Sequence, residues 1–95
     1  MKLNKYLTES NLNRVMKLRG LPFSITPEQI CEFFGDFGVT RSDVVIEELN
    51  GKKTGFALVF FSDDQIAQRA RIEKHKKNIN NRYVEVLECG FQDIM

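Results

Sequence analysis

The chain has 95 residues, of which 42% are hydrophobic and 28% are charged, and its formal net charge is +1. That length fits one compact domain, and that balance is typical of a globular protein and unlike a disordered one. No apolar run is long enough to cross a bilayer, and the first residues lack the apolar core of a secretory signal. We therefore expect an intracellular protein that has no membrane as a partner.

Metal-ligating and nucleophilic side chains are few and scattered along the sequence. Cys31 and Cys89 form no CxxC pair and His75 is the only histidine, so a structural zinc site is excluded on ligand count. Ser24, Ser62 and His75 form no nucleophile–base pattern, and no glycine-rich phosphate loop is present. We expect a protein that is not an enzyme and needs neither a metal nor a cofactor.

Charge is distributed unevenly along the chain. Residues 26–49 hold six acidic residues and one arginine, whereas residues 67–82 hold six basic residues and one glutamate. The basic stretch can attract phosphates although the whole chain is nearly neutral. The alternative is that residues 69–77 form only the solvated face of a helix.

The first part of the chain predicts a leader, a strand and a helix. Residues 1–14 are polar and predict a flexible leader or a short extra helix. Residues 15–19 have the pattern of a strand, which ends at Gly20. Thr26-Pro27-Glu28-Gln29 has the residue types of a capping box with proline at the first helical position. The helix that follows carries three apolar residues on one face, which are Ile30, Phe33 and Phe34.

A hairpin follows in the middle of the chain. Residues 44–49 are rich in β-branched side chains, and residues 55–61 form another apolar run. Between them stands Asn50-Gly51, a two-residue turn in which both positions tolerate positive φ. We predict two antiparallel strands here.

The last part of the chain predicts a second helix and a final strand. Residues 62–65 resemble another capping box, and the helix runs into the basic residues 74–77, where cations suit its dipole. Residues 78–81 are predicted to be a loop. Apolar and polar residues then alternate over residues 82–87, which predicts a strand.

The order strand, helix, strand, strand, helix, strand is that of the ferredoxin-like βαββαβ plan. It predicts an α+β sandwich, with a four-stranded antiparallel sheet and two helices on one face. We expect the domain to span residues 14–88, with a leader over residues 1–13 and a tail over residues 89–95.

Two segments resemble the signature motifs of the RNA-recognition motif (RRM) family. Residues 54–61 are similar to the family's octamer, and residues 16–21 to its hexamer. The resemblance implies that single-stranded RNA binds the open sheet face through stacked aromatic side chains. Of the three usual aromatic positions only Phe56 is aromatic, because Lys17 and Leu58 occupy the other two.

Two shorter motifs resemble those of the quasi-RRMs in heterogeneous nuclear ribonucleoproteins of the F/H group. They are Leu18-Arg19-Gly20-Leu21-Pro22-Phe23 and Arg82-Tyr83-Val84-Glu85-Val86. In that group the loops hold RNA, usually guanine-rich single strands. The resemblance implies contact roles for Arg19, Phe23 and Tyr83, with Lys53 and Arg82 as neighbouring cations. The group usually has a polar residue where this chain has Phe56.

We therefore expect a monomeric module that binds single-stranded RNA within an RNA-processing or splicing factor, in the nucleus or the cytoplasm. Other proteins of such a complex would be further partners. There are two candidate binding surfaces. One consists of the loop residues Arg19, Phe23 and Tyr83, and the other of the sheet residues Lys17 and Phe56. Two other functions stay open. One is a protein-interaction module of the same fold with little or no RNA binding, and the other is a structural subunit whose tail covers the sheet.

Overall fold

A computed structural model describes residues 2–94, which form a five-stranded antiparallel sheet with two α-helices packed on one face. The elements are β1 (Val15–Arg19), α1 (Pro27–Phe33), β2 (Val44–Leu49), β3 (Lys52–Phe60), α2 (Asp64–Lys74), β4 (Lys77–Ile79) and β5 (Arg82–Glu88). The strand order β2-β3-β1-β5-β4 places β1 at the centre of the sheet. The predicted α+β fold is confirmed, and the two strands that β1 pairs with are β3 and β5.

The sheet has five strands where the sequence predicts four, so this part of the prediction is wrong. The extra strand, β4, occupies a segment predicted as the end of a helix and a loop. Helix α2 ends at Lys74, and β4 then pairs with β5 across a two-residue turn. Asn80 and Asn81 form that turn with φ of 49° and 67°, values that asparagine tolerates better than most residues.

The helix starts and the first hairpin are set by local sequence. At α1 the Thr26 hydroxyl accepts from the Gln29 backbone N–H at 3.2 Å, while the Gln29 side chain accepts from the Thr26 N–H at 3.0 Å. The predicted capping box is confirmed. At α2 the cap is Asp63, which accepts from the Ile66 N–H at 2.8 Å, one residue later than predicted. Asn50-Gly51 forms the predicted turn with positive φ at both positions.

The main core lies between the sheet and the two helices. It contains alternate residues of the central strands, such as Leu18, Val59 and Val84, together with Ile30 and Phe34 of the first helical region. The edge of the Phe34 ring meets the ring of Phe61 with centroids 5.4 Å apart. This cluster fixes which sheet face the helices cover and therefore which face is left for other contacts.

A second apolar cluster lies on the opposite face of the sheet. Leu3, Leu7 and Leu12, from the segment before β1, are buried against Val15 and Leu58. From the other end of the chain, Cys89 and Ile94 pack against the same cluster. The two ends of the chain therefore cover the part of this face that surrounds Leu58.

Polar contacts join these end segments to the sheet as well. The backbone N–H of Lys2 donates to the buried Glu47 carboxylate at 2.8 Å, and the Lys17 ammonium lies 3.4 Å from Asp93. Within residues 2–94, no helix combines the length and the apolar character that crossing a membrane requires.

Removing a buried leucine of the leading segment should destabilise the whole domain. Leu7 is 4% exposed, so we expect Leu7→Ala to lower the free energy of unfolding by about 2–4 kcal/mol through the loss of burial and the cavity that remains. Urea unfolding followed by circular dichroism measures the change. Ile72→Ala is the matched control, because Ile72 is 70% exposed and its truncation should cost within about 0.5 kcal/mol. Equal costs for the two variants would contradict the packed arrangement.

Candidate nucleic-acid interface

The two loop motifs meet at one end of the sheet. Strand β1 pairs with β5 so that Arg19 lies opposite Glu85, and the chain then turns at Gly20 with φ of 92°. A Cβ atom at Gly20 would stand only 2.7 Å from the carbonyl oxygen of Tyr83. Arg82 donates through its Nε to the carbonyl oxygen of Gly20 at 3.2 Å. Backbone contact therefore brings the first motif against the second.

Two aromatic rings stand in solvent at this end of the sheet. The exposed fraction is 76% for Phe23 and 74% for Tyr83. Neither ring therefore packs into the core, which is the usual role of large aromatic side chains in small domains. Both rings are available to stack on a planar ligand.

The loop that carries Phe23 is tied down by its backbone. The N–H of Leu21 donates to the carbonyl oxygen of Gly55 in β3 at 3.1 Å, and Ile25 closes a turn by donating to Pro22 at 3.1 Å. Lys53 donates to the carbonyl oxygen of Ile25 from the other side. The exposed ring therefore sits on a loop whose two ends are held by hydrogen bonds.

Arg19 lies on the sheet face beside this loop and is paired with Glu85. Its Nε donates to the Glu85 carboxylate at 2.6 Å. This hydrogen bond and the opposite charge raise the pKa of Arg19, and the same hydrogen bond lowers the pKa of Glu85. Both side chains are accessible to solvent, so a ligand can reach the pair.

The two sheet candidates have different surroundings. Lys17 is engaged with Asp93 of the tail, and Leu58, the neighbouring position of the octamer, is fully buried beneath the leading segment. Phe56 is partly exposed and lies opposite Arg19 in the pairing of β1 with β3. The covered part of the face therefore ends near Phe56, which adjoins the loop residues.

An open pocket of about 580 Å³ lies between the Phe23 loop and the hairpin that joins β2 to β3. Its lining residues are Phe23, Glu48, Gly51, Lys52 and Lys53. The motif resemblance did not single out Glu48 or Gly51, although the Asn50-Gly51 turn signal already marked this hairpin. Glu85, the partner of Arg19, was not predicted as a site residue, although it lies within the second motif and shares a strand face with Tyr83.

The basic stretch of residues 67–82 does not form one continuous surface. On α2, Arg71 lies 3.7 Å from Glu88, and Arg69 and Lys74 lie over the rings of Phe37 and Phe33. The remaining cations belong to the β4–β5 hairpin that carries Tyr83 or directly precede it. They are Lys76, Lys77 and Arg82.

The reactive side chains stay apart. Across residues 2–94, no three His, Cys, Asp or Glu side chains come close enough to hold a metal ion. Cys31 and Cys89 are free thiols, and burial raises the pKa of Cys89 to about 11, so this thiol is protonated near neutral pH.

Comparison with known proteins gives matches over most of the chain. Residues 16–95 match the model of the RRM domain family. The chain is 35% identical over 80 residues to heterogeneous nuclear ribonucleoprotein F of Bos taurus, covering 83% of this chain and 19% of that protein. The human heterogeneous nuclear ribonucleoprotein H gives 35% identity over 80 residues, with 83% and 18% covered. The chain therefore spans about a fifth of the length of these relatives.

Solved structures with similar sequences share the fold. The human G-rich RNA sequence binding factor 1 is 30% identical with a TM-score of 0.75, and the match covers 85% of this chain and 84% of that one. The Glorund qRRM2 domain is 31% identical with a TM-score of 0.70, and 85% and 93% of the two chains are covered.

A methyl group at Gly20 should disturb the junction between the two motifs. Gly20→Ala places a Cβ in contact with the Tyr83 carbonyl and keeps a residue at a φ that disfavours side chains. We expect stability to fall by about 1–3 kcal/mol, measured by urea unfolding, and amide chemical-shift changes concentrated at residues 82–84. Gly35→Ala is the control, because no atom outside Gly35 and its own turn of the chain lies within 4 Å of its Cβ position. Shifts spread evenly over the domain in the Gly20 variant would argue against this local contact.

Proposed function

Since the chain belongs to the RRM domain family, we propose that it binds single-stranded RNA, with a preference for guanine-rich strands, at the loop end of its sheet. One structure with similar sequence is that of a protein named for binding G-rich RNA sequences. The observation that carries the proposal is that Phe23 and Tyr83, both largely exposed, lie at the same end of the sheet as Arg19.

The chemistry of these three side chains suits unpaired bases. An aromatic ring stacks on any base and contributes about 1–3 kcal/mol per base. The guanidinium of Arg19 offers a planar set of donors to the O6 and N7 acceptors of guanine. Two rings and one planar cation are therefore suited to bind a few consecutive unpaired bases.

Because part of the sheet face is covered, the loop residues are favoured as the main RNA-binding surface. Stacking at the positions of Lys17 and Leu58 would require displacing the tail or the leading segment, because Lys17 pairs with Asp93 and Leu58 is buried. Phe56 is different, since it lies opposite Arg19 and is partly exposed. We propose it as a flanking contact where a strand continues from the loops onto the sheet.

Cations on both sides of the rings supply phosphate contacts. Lys52 and Lys53 line the pocket beside Phe23, Lys77 and Arg82 belong to the β4–β5 hairpin that carries Tyr83, and Lys76 directly precedes it. Phosphate contacts fix the register of a strand but do not specify its sequence. Guanine preference would therefore come from Arg19 and from the pocket.

The wider role follows from the relatives and is part of the same proposal. We propose that the chain acts as a monomeric RNA-binding module, within an RNA-processing or splicing factor of the nucleus or cytoplasm and alongside other proteins. The heterogeneous nuclear ribonucleoproteins F and H support this role by similarity. A module that binds only protein is the alternative, and it predicts no response to RNA.

Truncating each loop residue should weaken RNA binding. We expect the unmodified domain to bind a short guanine-rich strand at a Kd on the order of micromolar, about −8 kcal/mol. Arg19→Ala, Phe23→Ala and Tyr83→Ala should each cost about 1–3 kcal/mol of that affinity. Fluorescence anisotropy with labelled RNA measures the change. Phe91→Ala is the matched control, because Phe91 is 71% exposed but lies in the C-terminal tail.

The same titration distinguishes the competing surfaces. Weaker binding by Phe56→Ala and Lys17→Ala, with no change in Phe23→Ala, would place RNA on the sheet instead. If no short RNA changed the amide chemical shifts of the unmodified domain, a protein-interaction module would be favoured. All variants are compared by circular dichroism first, so that a folding defect is recognised.

The two lysines at the start of the β4–β5 hairpin should contribute equally to the binding of all RNA sequences. Replacing both Lys76 and Lys77 with Ala removes up to two cations that can bind phosphate, so the slope of log K against log salt should become shallower by about 0.7 for each phosphate that is no longer neutralised. Affinity for guanine-rich and uridine-rich strands should fall in the same proportion. Lys5→Ala is the control on the leading segment. A changed base preference in the double variant would contradict a phosphate role.

A further inference from the structure

We infer that Glu85 is a specificity-determining residue, whose carboxylate makes Arg19 a reader of bases and keeps it from acting as a phosphate clamp. The inference rests on the proposed function, since it concerns how Arg19 selects among RNA ligands. The inference adds a residue, Glu85, and a physical mechanism by which it disfavours phosphate binding at Arg19.

The geometry holds Arg19 by one edge only. Glu85 is the β5 residue opposite Arg19, and its carboxylate accepts a hydrogen bond from Nε at 2.6 Å. Among residues 2–94, neither Nη atom of Arg19 makes a hydrogen bond to another side chain or to the backbone. A bidentate ion pair would occupy two donor atoms of the guanidinium. The single contact leaves the Nη donors available to a ligand.

Within residues 2–94, the only hydrogen bond of the Glu85 side chain is the one that it accepts from Arg19, and the charge of Lys76 also favours its ionised form. Two other carboxylates of the sheet are engaged elsewhere, because Glu47 is buried against Thr54 and the Lys2 N–H, and Glu88 contacts Gln68 and Arg71. Pairs between accessible side chains add little to stability. The placement of Glu85 beside Arg19 is therefore explained better by an effect on the ligand than by an effect on folding.

The pair changes which ligand Arg19 favours. A free guanidinium attracts any phosphate, whereas the carboxylate beside Arg19 offsets the guanidinium charge and thereby weakens its attraction for phosphate. A guanine base is neutral and presents O6 and N7 as acceptors, so its contact with the Nη donors depends less on that net charge. The contact through Nε also holds the guanidinium in one position, which reduces the ordering that binding requires.

The test removes the charge and keeps the shape. Glu85→Gln retains an acceptor oxygen for Nε but has no negative charge. Glu88→Gln makes the same change on the same strand beside Arg71 and is the matched control. Two short labelled RNAs are compared, one with a run of guanines and one with uridines in those positions, over a series of salt concentrations. Lithium buffers prevent the guanine strand from forming quadruplexes.

We expect the preference of Glu85→Gln for the guanine strand over the uridine strand to fall by at least about five-fold, the lower range of one bidentate base contact. Most of the change should come from tighter binding of the uridine strand. The salt slope should become steeper by about 0.7, because Arg19 then takes up a phosphate. Glu88→Gln should leave both the preference and the slope near those of the unmodified domain.

A double variant separates this role from a purely structural one. In an Arg19→Ala background, Glu85→Gln should change neither the preference nor the salt slope, because Glu85 acts through Arg19. Equal weakening toward both RNAs with an unchanged slope would overturn the inference and leave Glu85 as a support for Arg19. Identical behaviour of Glu85→Gln and Glu88→Gln would overturn it as well, while the proposed function would stand. No binding of either RNA by the unmodified domain would overturn the proposed function and the inference together.

Discussion

Arg19, Phe23 and Tyr83 share one surface because the backbone at Gly20 lies directly against the backbone at Tyr83. The missing side chain allows this contact, and the central position of β1 brings β5 to that side of the chain. The candidate contacts are thus positioned by backbone pairing and not by burial of the contact side chains themselves. Two rings can therefore remain largely in solvent on a surface whose layout is already fixed, which limits the ordering that binding must impose.

A sheet covered by helices on one side still has a second face, and the apolar residues of that face need their own cover. Here Leu58, with Val15 beside it, is covered by leucines that precede β1, while Ile94 arrives from the other end. This cover, together with the contact between Lys17 and Asp93, occupies two of the three positions where an RRM with three sheet aromatics would stack bases. The arrangement stabilises the sheet and moves the accessible aromatic surface to the loop end, with Phe56 at the boundary between the two regions.

The sequence was most informative where structure depends on neighbours along the chain. The capping box at Thr26 and the Asn50-Gly51 turn are local, and both formed as expected. Strand β4 was missed because three residues are too short to show alternation and its asparagine turn resembles a loop. Motif resemblance indicated Arg19 as a contact residue, but its pairing with Glu85 joins residues 66 positions apart and depends on strand register. Register of that kind is a property of the assembled sheet.

Charge placement sets what kind of recognition this surface can support. The net charge is only +1, and on α2 Arg71 contacts Glu88 while Arg69 and Lys74 lie over aromatic rings. These three cations of α2 are therefore engaged within the domain, and the cations left beside the exposed rings lie in or next to the two hairpins. Phosphate contacts contribute affinity that is equal for all sequences and that salt weakens, whereas stacking and base-edge contacts depend on the bases. A surface with a carboxylate beside its central guanidinium would therefore owe a larger share of its binding free energy to the bases themselves.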